Sequence, residues 1–227
     1  MDTSVIIVAA GNSTRMQGTD KQLAEVGGMP VIVRSMLAFE KCESVLEIIV
    51  VTREECIEKF SSLAKEYGVT KLSCVVKGGN TRQESVTNGV RRISDEARMI
   101  AVHDGARPLV TPENIERTIA DARVFSGAVL GVPVKDTIKV VSDGLITDTP
   151  PRASLYITQT PQVFKRSVYM RALEFASRNY LDFTDDCQLA EAIGVKVCMT
   201  TGDYKNIKIT TPEDIAIAEA ILGEQEA

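Results

Sequence analysis

Three polar clusters, each placed after an apolar run, carry most of the chemistry written in this chain. The first is Ala9-Ala10-Gly11-Asn12-Ser13-Thr14-Arg15-Met16, followed by Lys21-Gln22. Gly11 among small neighbours lets backbone N–H groups approach an anion closely. Arg15 and Lys21 add a planar fork and a mobile point charge, a combination suited to a polyphosphate. A surface loop with two solvated cations is the competing reading, since neither G-K-[ST] nor G-x-G-x-x-G is present. The second cluster is Gly78-Gly79-Asn80-Thr81-Arg82-Gln83-Glu84-Ser85-Val86. Paired glycines permit close backbone approach. Ser85 falls in a first helical turn, where its hydroxyl caps the helix or faces a ligand, capping being the commoner use.

The third cluster is Val102-His103-Asp104-Gly105-Ala106-Arg107-Pro108. An Asp at a strand's carboxyl end holds a divalent cation or a substrate hydroxyl. Arg107 suits a phosphate monoester. His103 is the single histidine; a lone histidine there is more often a satisfied structural group than a base. Weaker signals follow at Pro133–Thr137, Gln159-Thr160-Pro161-Gln162, Thr184-Asp185-Asp186 and Asn206–Thr210. Read alone, Gln159–Gln162 is turn chemistry, Thr184 a helix cap and Lys208 a solvated edge cation.

Composition removes other classes. One histidine excludes a multi-histidine metal centre within one chain, and no Ser-His-Asp or Cys-His arrangement is evident. Five cysteines at 42, 56, 74, 187 and 198, without a C-x-x-C pair, fit reduced thiols better than disulfides or zinc. With 26 Lys+Arg against 31 Asp+Glu in 227 residues, the formal charge of −5 opposes nucleic-acid binding driven by overall charge. No apolar run approaches the ~20 residues of a membrane span. Met1-Asp2-Thr3-Ser4 leads directly into Val5-Ile6-Ile7-Val8 without a basic export region, so a cytoplasmic location is expected.

The elements that must position these clusters alternate. Val5–Ala9, Glu47–Thr52, Leu72–Val76, Met99–His103 and Ala128–Pro133 are apolar without alternation, predicting buried strands. Helical spacing joins Ile57, Phe60 and Ala64, then Val86, Val90 and Ile93, then Ile115, Ile119 and Ala122. Thr111-Pro112-Glu113-Asn114 and Thr211-Pro212-Glu213-Asp214 are matching helix starts. The expected fold is α/β: a Rossmann-like, mostly parallel sheet with helices on both faces and ligands at the strands' carboxyl ends. Thr137–Val141, Ser142-Asp143-Gly144 and Leu145–Thr149 read as a hairpin. With no linker or repeat, residues 1–227 form one expected domain, with an arm inserted at about 135–158. A lone hairpin is marginal in water, so the arm must pack on its own domain or on another subunit.

Taken in order, A-A-G-x-x-x-R-M, K-Q, G-G-x-x-R-x-x-S-V, H-D-G-A-R-P, P-V-K-D-T-I-K, Q-T-P-Q-x-F, T-D-D and N-I-K-I-T-x-P-E-D resemble the bacterial 2-C-methyl-D-erythritol 4-phosphate cytidylyltransferases of the non-mevalonate isoprenoid pathway. The resemblance implies transfer of CMP from CTP to that polyol phosphate, giving 4-diphosphocytidyl-2-C-methyl-D-erythritol and pyrophosphate. It implies CTP contacts at Ala9, Ala10, Gly11, Gly79, Asn80 and Ser85. Arg15, Lys21 and Lys208 match the family's catalytic cations. Asp104, Arg107, Thr137, Arg152, Thr160 and Thr184 match its sugar-phosphate site. It further implies a divalent cation, normally magnesium, with Asp104 the nearest protein ligand, and a homodimer formed through the arm. Two positions depart from the family: Ser13 stands for Gly, and Asp20 for Pro, where it is expected to offset part of the Lys21 charge. Ribitol-5-phosphate cytidylyltransferases share two of the motifs but usually read H-D-S-V-R-P. A nucleotide-sensing module without turnover is the alternative from another class.

Overall fold

Strand β1 (Thr3–Val8) carries the apolar run Val5–Val8 of a central strand, and it is buried almost throughout. In the computed structural model, which describes residues 1–11, 16 and 20–226, it lies parallel to β4 (Val45–Thr52) and to β6 (Met99–Asp104). Before β4 come the two-residue strands β2 (Glu25–Val26) and β3 (Met29–Pro30) and helix α1 (Val31–Glu40). Helix α2 (Ile57–Glu66) leads to β5 (Leu72–Lys77), and α3 (Arg82–Val90) leads to β6. Helix α4 (Pro112–Phe125), β7 (Gly127–Pro133), the hairpin β8 (Val140–Ser142) and β9 (Leu145–Asp148), and β10 (Tyr156–Lys165) follow. The chain continues through α5 (Arg166–Arg178), α6 (Asp186–Glu191), β11 (Cys198–Thr201) and α7 (Pro212–Glu226).

The main sheet has the order β11-β7-β10-β6-β1-β4-β5. Only β10 runs antiparallel to its neighbours, so the expected α/β class and mostly parallel sheet are what the chain forms. Alternate side chains of β1 enter opposite cores, as strand geometry requires. Val5 and Ile7 join Phe39, Phe60 and Ile115 on one face, while Ile6 joins Val86, Val102, Phe164 and Tyr169 on the other.

Two expectations need correction. The segment read as a fully buried third strand is β5, an edge strand with half-buried and exposed positions, because it has a neighbour on one side only. Gln159–Gln162 is no turn: it lies inside β10, where the register against β7 shifts between Thr158 and Gln162. A bulge is one of the few places a strand tolerates proline, here Pro161. The two matching helix starts both hold, closed by different bonds. Thr111 accepts the Asn114 N–H at 3.3 Å, whereas at α7 the Asp214 carboxylate reaches back to the N–H groups of Thr210 at 2.7 Å and Thr211 at 2.9 Å.

The hairpin forms with a shorter ladder than expected. Every residue from 135 to 149 is exposed, including Ile138, Val140, Val141, Leu145 and Ile146.

Candidate active site

Because β1, β4, β5 and β6 are parallel, their carboxyl ends open on one side of the sheet. There the loops after β1, β5 and β6 line a cleft of about 460 Å³, the scale of a small-molecule site. Ala10, Gly11, Lys21, Gly79, Asn80, Ser85, Asp104 and Lys208 all line it. Ala9 sits just behind, 2 % exposed, in the core. Arg15 and Ser13 lie outside the described residues.

The Gly78–Gly79 turn works by close approach. A Cβ at Gly78 would come within 2.5 Å of the Ala10 side chain, so the second loop packs directly on the first. Ser85 is not the helix cap; Thr81 is, accepting the Glu84 N–H at 3.1 Å. One turn further in, the buried Ser85 hydroxyl accepts the Gly79 N–H at 3.0 Å and donates to the Thr81 carbonyl at 2.9 Å. It therefore holds the glycine turn against α3 while lining the cleft.

Asp104 is the electrostatic centre. Lys208 Nζ stands 2.7 Å from its Oδ2, Arg107 Nε 3.7 Å from the same oxygen, and Arg82 Nε 4.0 Å from Oδ1. Burial opposes ionisation of this carboxyl, but Lys208 and Arg82 outweigh it and hold Asp104 well below the usual carboxylate range. Lys208 is therefore more than a solvated edge cation: although 41% exposed, it is paired with Asp104. Arg107 donates to the carbonyls of Asn206 at 2.8 Å and Thr158 at 3.4 Å, which fixes its guanidinium beside Asp104.

His103 is fully buried behind this cluster. Its Nε2 faces the Arg107 carbonyl at 3.3 Å and its Nδ1 faces the Thr160 hydroxyl at 2.9 Å. A carbonyl only accepts, so the neutral ring carries its proton on Nε2 and Thr160 donates to Nδ1. Burial lowers the His103 pKa to about 4. The structural reading of this histidine agrees with that geometry. Thr160 is 4 % exposed and its oxygen also accepts the Asp104 N–H at 3.1 Å, which makes it a brace under Asp104.

Other site expectations fall outside the cleft. Thr184 is exposed, 3.4 Å from Gln188 Oε1, and Asp185 caps α6 instead, accepting the N–H groups of Cys187 and Gln188. Thr137 and Arg152 are exposed at the arm, where Arg152 Nη1 donates to the Lys135 carbonyl at 2.8 Å. Asp20, expected to offset Lys21, has its carboxylate 2.5 Å from Arg53. All five cysteines are free, and none is exposed.

Sequence reasoning gave Arg82 no role, yet it lines the cleft and forms an ion pair with Asp186 Oδ2 at 2.6 Å, joining α3 to α6. A signal existed. Arg82 is the first residue of α3, where a cation opposes the helix dipole unless an anion holds it.

A cleft that offers fixed positive charge to phosphates, with no side-chain nucleophile in a relay among the described residues, suits the work of a nucleotidyltransferase, whose substrates bring both reacting groups. The family model described as 2-C-methyl-D-erythritol 4-phosphate cytidylyltransferase matches residues 3–224, and the chain belongs to that family. A curated member from Caldanaerobacter subterraneus is 45% identical over 225 residues, covering 98% of this chain and 99% of its own. Another from Halalkalibacterium halodurans is 40% identical over 227 residues, covering 100% and 99%. The solved structure of 4-diphosphocytidyl-2C-methyl-D-erythritol synthase from Anaerococcus prevotii superposes with a TM-score of 0.87 at 31% identity, covering 98% of each chain. The chain is accordingly a cytidylyltransferase that transfers CMP from CTP to 2-C-methyl-D-erythritol 4-phosphate in isoprenoid precursor synthesis. The ribitol phosphate and sensing alternatives give way to this assignment.

Proposed function

We propose a division of labour for that reaction. Ala10, Gly11, Gly79, Asn80 and Ser85 receive CTP, with Ala9 supporting from behind. Arg15, Lys21 and Lys208 neutralise its phosphate chain. Asp104 and Arg107, braced by Thr160, face the polyol phosphate. The observation that carries this reading is Lys208 held 2.7 Å from Asp104 inside a cleft that also contains Lys21.

The substrate's phosphate monoester has a second pKa of about 6 and is mostly a dianion at neutral pH, so no protein base is needed. It attacks the α-phosphorus of CTP in line and pyrophosphate departs. The chain's part is to bring two polyanions together against their repulsion and to stabilise charge in the transition state. Lys208 suits the reacting phosphorus because Asp104 sets its position before substrate arrives.

A magnesium ion fits this donor set. Among the described residues no group of three His, Cys, Asp or Glu side chains could cage a metal. Asp104 would supply a hard carboxylate oxygen, Oδ1, which lies 4.0 Å from Arg82 Nε, and the nucleotide would supply most remaining ligands. When bound, the ion adds positive charge at the phosphates.

We propose that Thr137 and Arg152 serve a partner's site in a homodimer, and Thr184 the outer rim of its own. The exposed apolar residues of the arm and the absence of Arg152 from the lining of its own cleft support this. No helix among the described residues is long and apolar enough to cross a membrane, and a cytoplasmic site of action agrees with the free thiols. Pyrophosphate release from CTP, measured with methylerythritol phosphate and with ribitol phosphate in turn, tests the assignment. Release with the first alone is expected, and release with ribitol phosphate alone would overturn it.

A further inference from the structure

Arg53 follows β4 and does not line the cleft, yet its guanidinium reaches both ends of the first loop. Nη1 donates to the Gly11 carbonyl at 3.1 Å and Nη2 to Asp20 Oδ2 at 2.5 Å. Its remaining bonds hold the fork in place: Nε donates to Glu55 Oε1 at 2.7 Å, and Nη2 lies 3.3 Å from Cys56 Sγ. Asp20 is equally committed. Its Oδ1 accepts the Gln22 N–H at 2.9 Å, and its carbonyl accepts from Leu23 at 3.0 Å and Ala24 at 2.9 Å. The turn that presents Lys21 and Gln22 to the cleft therefore starts from a residue anchored on Arg53. The side chains of the pair are 23% and 17% exposed, so solvent screens them less than a surface pair.

We propose that Arg53 is a positioning residue for nucleotide binding, which with Asp20 staples the two ends of the first loop so that Gly11 and Lys21 meet the phosphate chain as one unit. Two acceptors at different points require the planar fork of an arginine, because one ammonium cannot span them in the same geometry. The staple also gives the Asp20 departure from the family's proline a physical use: an ion pair fixes the backbone that a ring would otherwise restrict. Its effect falls on CTP and not on the sugar phosphate, whose expected residues Asp104, Arg107 and Thr160 make none of these bonds.

The inference rests on assignment of the cleft to CTP, so the test reads binding and turnover separately. Full-length Arg53→Met, Asp20→Asn, their double variant and Arg53→Lys are compared with the unaltered chain by calorimetric CTP titration without the second substrate, by KM for each substrate, and by Tm. Arg53→Met and Asp20→Asn should each raise the CTP Kd and KM about tenfold, the scale of a lost charge-assisted bond, and leave the sugar-phosphate KM within about twofold. The double variant should be no worse than Arg53→Met, since both remove one device. Arg53→Lys should recover only part. Asp20→Asn keeps the acceptor for Gln22 and carries the test if Arg53→Met fails to fold. Unchanged CTP Kd, additive losses, or equal KM increases for both substrates would overturn the staple alone. An unaltered chain that bound no CTP would overturn the cleft assignment along with it.

Discussion

In the cleft, charge is crowded but answered within one chain: Asp104 has Lys208 and Arg107 beside it, and Arg82 bridges towards Asp186. In the arm the reverse holds, because Val140, Val141, Leu145 and Ile146 stand on a two-stranded hairpin with every side chain open to solvent. The first region is finished when the chain folds. The second carries apolar surface that a hairpin alone cannot bury, and isolated hairpins are marginal in water. The contrast separates what one subunit completes, a cluster of charges around its cleft, from what the proposed second copy would cover.

The largest effect expected is at the cleft. Lys208→Ala or Lys21→Ala should lower kcat by ~10²–10³ or more, the scale for one preorganised electrostatic stabiliser. Circular dichroism should stay native, because neither side chain is buried in the core. Turnover close to normal in either variant would break the cleft's side of the comparison. Arg15→Ala is expected to behave alike.

A mixing experiment addresses the arm. If Arg152 serves the partner's site, a Lys21→Ala chain and an Arg152→Ala chain, each nearly inactive, complement one another. Random exchange makes about half the dimers mixed, each with one intact site, so about a quarter of all sites should recover under two-fold symmetry. Exchange is verified with a tagged chain. No recovery after verified exchange would show that the arm serves its own subunit and that the contrast is false.

The smallest effect lies beneath the cleft, at His103. In the unfolded chain this group takes a proton near its ordinary value of 6.5, whereas in the folded protein burial delays protonation to about 4. The unfolded state therefore binds more protons between those values, and stability falls as pH drops through that window, by about 1 kcal/mol per pH unit at most. Asp104 adds its own loss only below its ordinary value of 3.8. Denaturation midpoints of His103→Asn between pH 7 and 4.5 should lack that slope. An unaltered slope would mean the acid sensitivity arises elsewhere.

How much could be read beforehand varies with the range of the interaction. Gly11, Gly79, Lys21 and Asp104 were legible because a glycine or charge just past an apolar run has few uses other than a loop at a strand's end. Ser85 falls on the expected helix, but the capping use weighed for it belongs to Thr81, since that cap and the bond from Gly79 depend on how the turn folds back. Asp20 is read locally against its sequence neighbour Lys21, while its carboxylate meets Arg53, just past β4. β10 was missed because Pro161 and the polar residues around it argue locally for a turn.

By itself, the order of apolar runs, glycines and charges determined the α/β class, the central strands and the loops at their carboxyl ends, and the series of motifs in register marked the resemblance to the family. Those signals are local or periodic, and a chain carries them before it folds. Tertiary structure decided the rest: the antiparallel place of β10 between β6 and β7, the brace from His103 through Thr160 to Asp104, and the reach of Arg82 to Asp186 and of Arg53 to both ends of one loop. Each of these joins residues far apart in the chain, and a pairing of that kind exists only once the sheet has fixed where every strand ends.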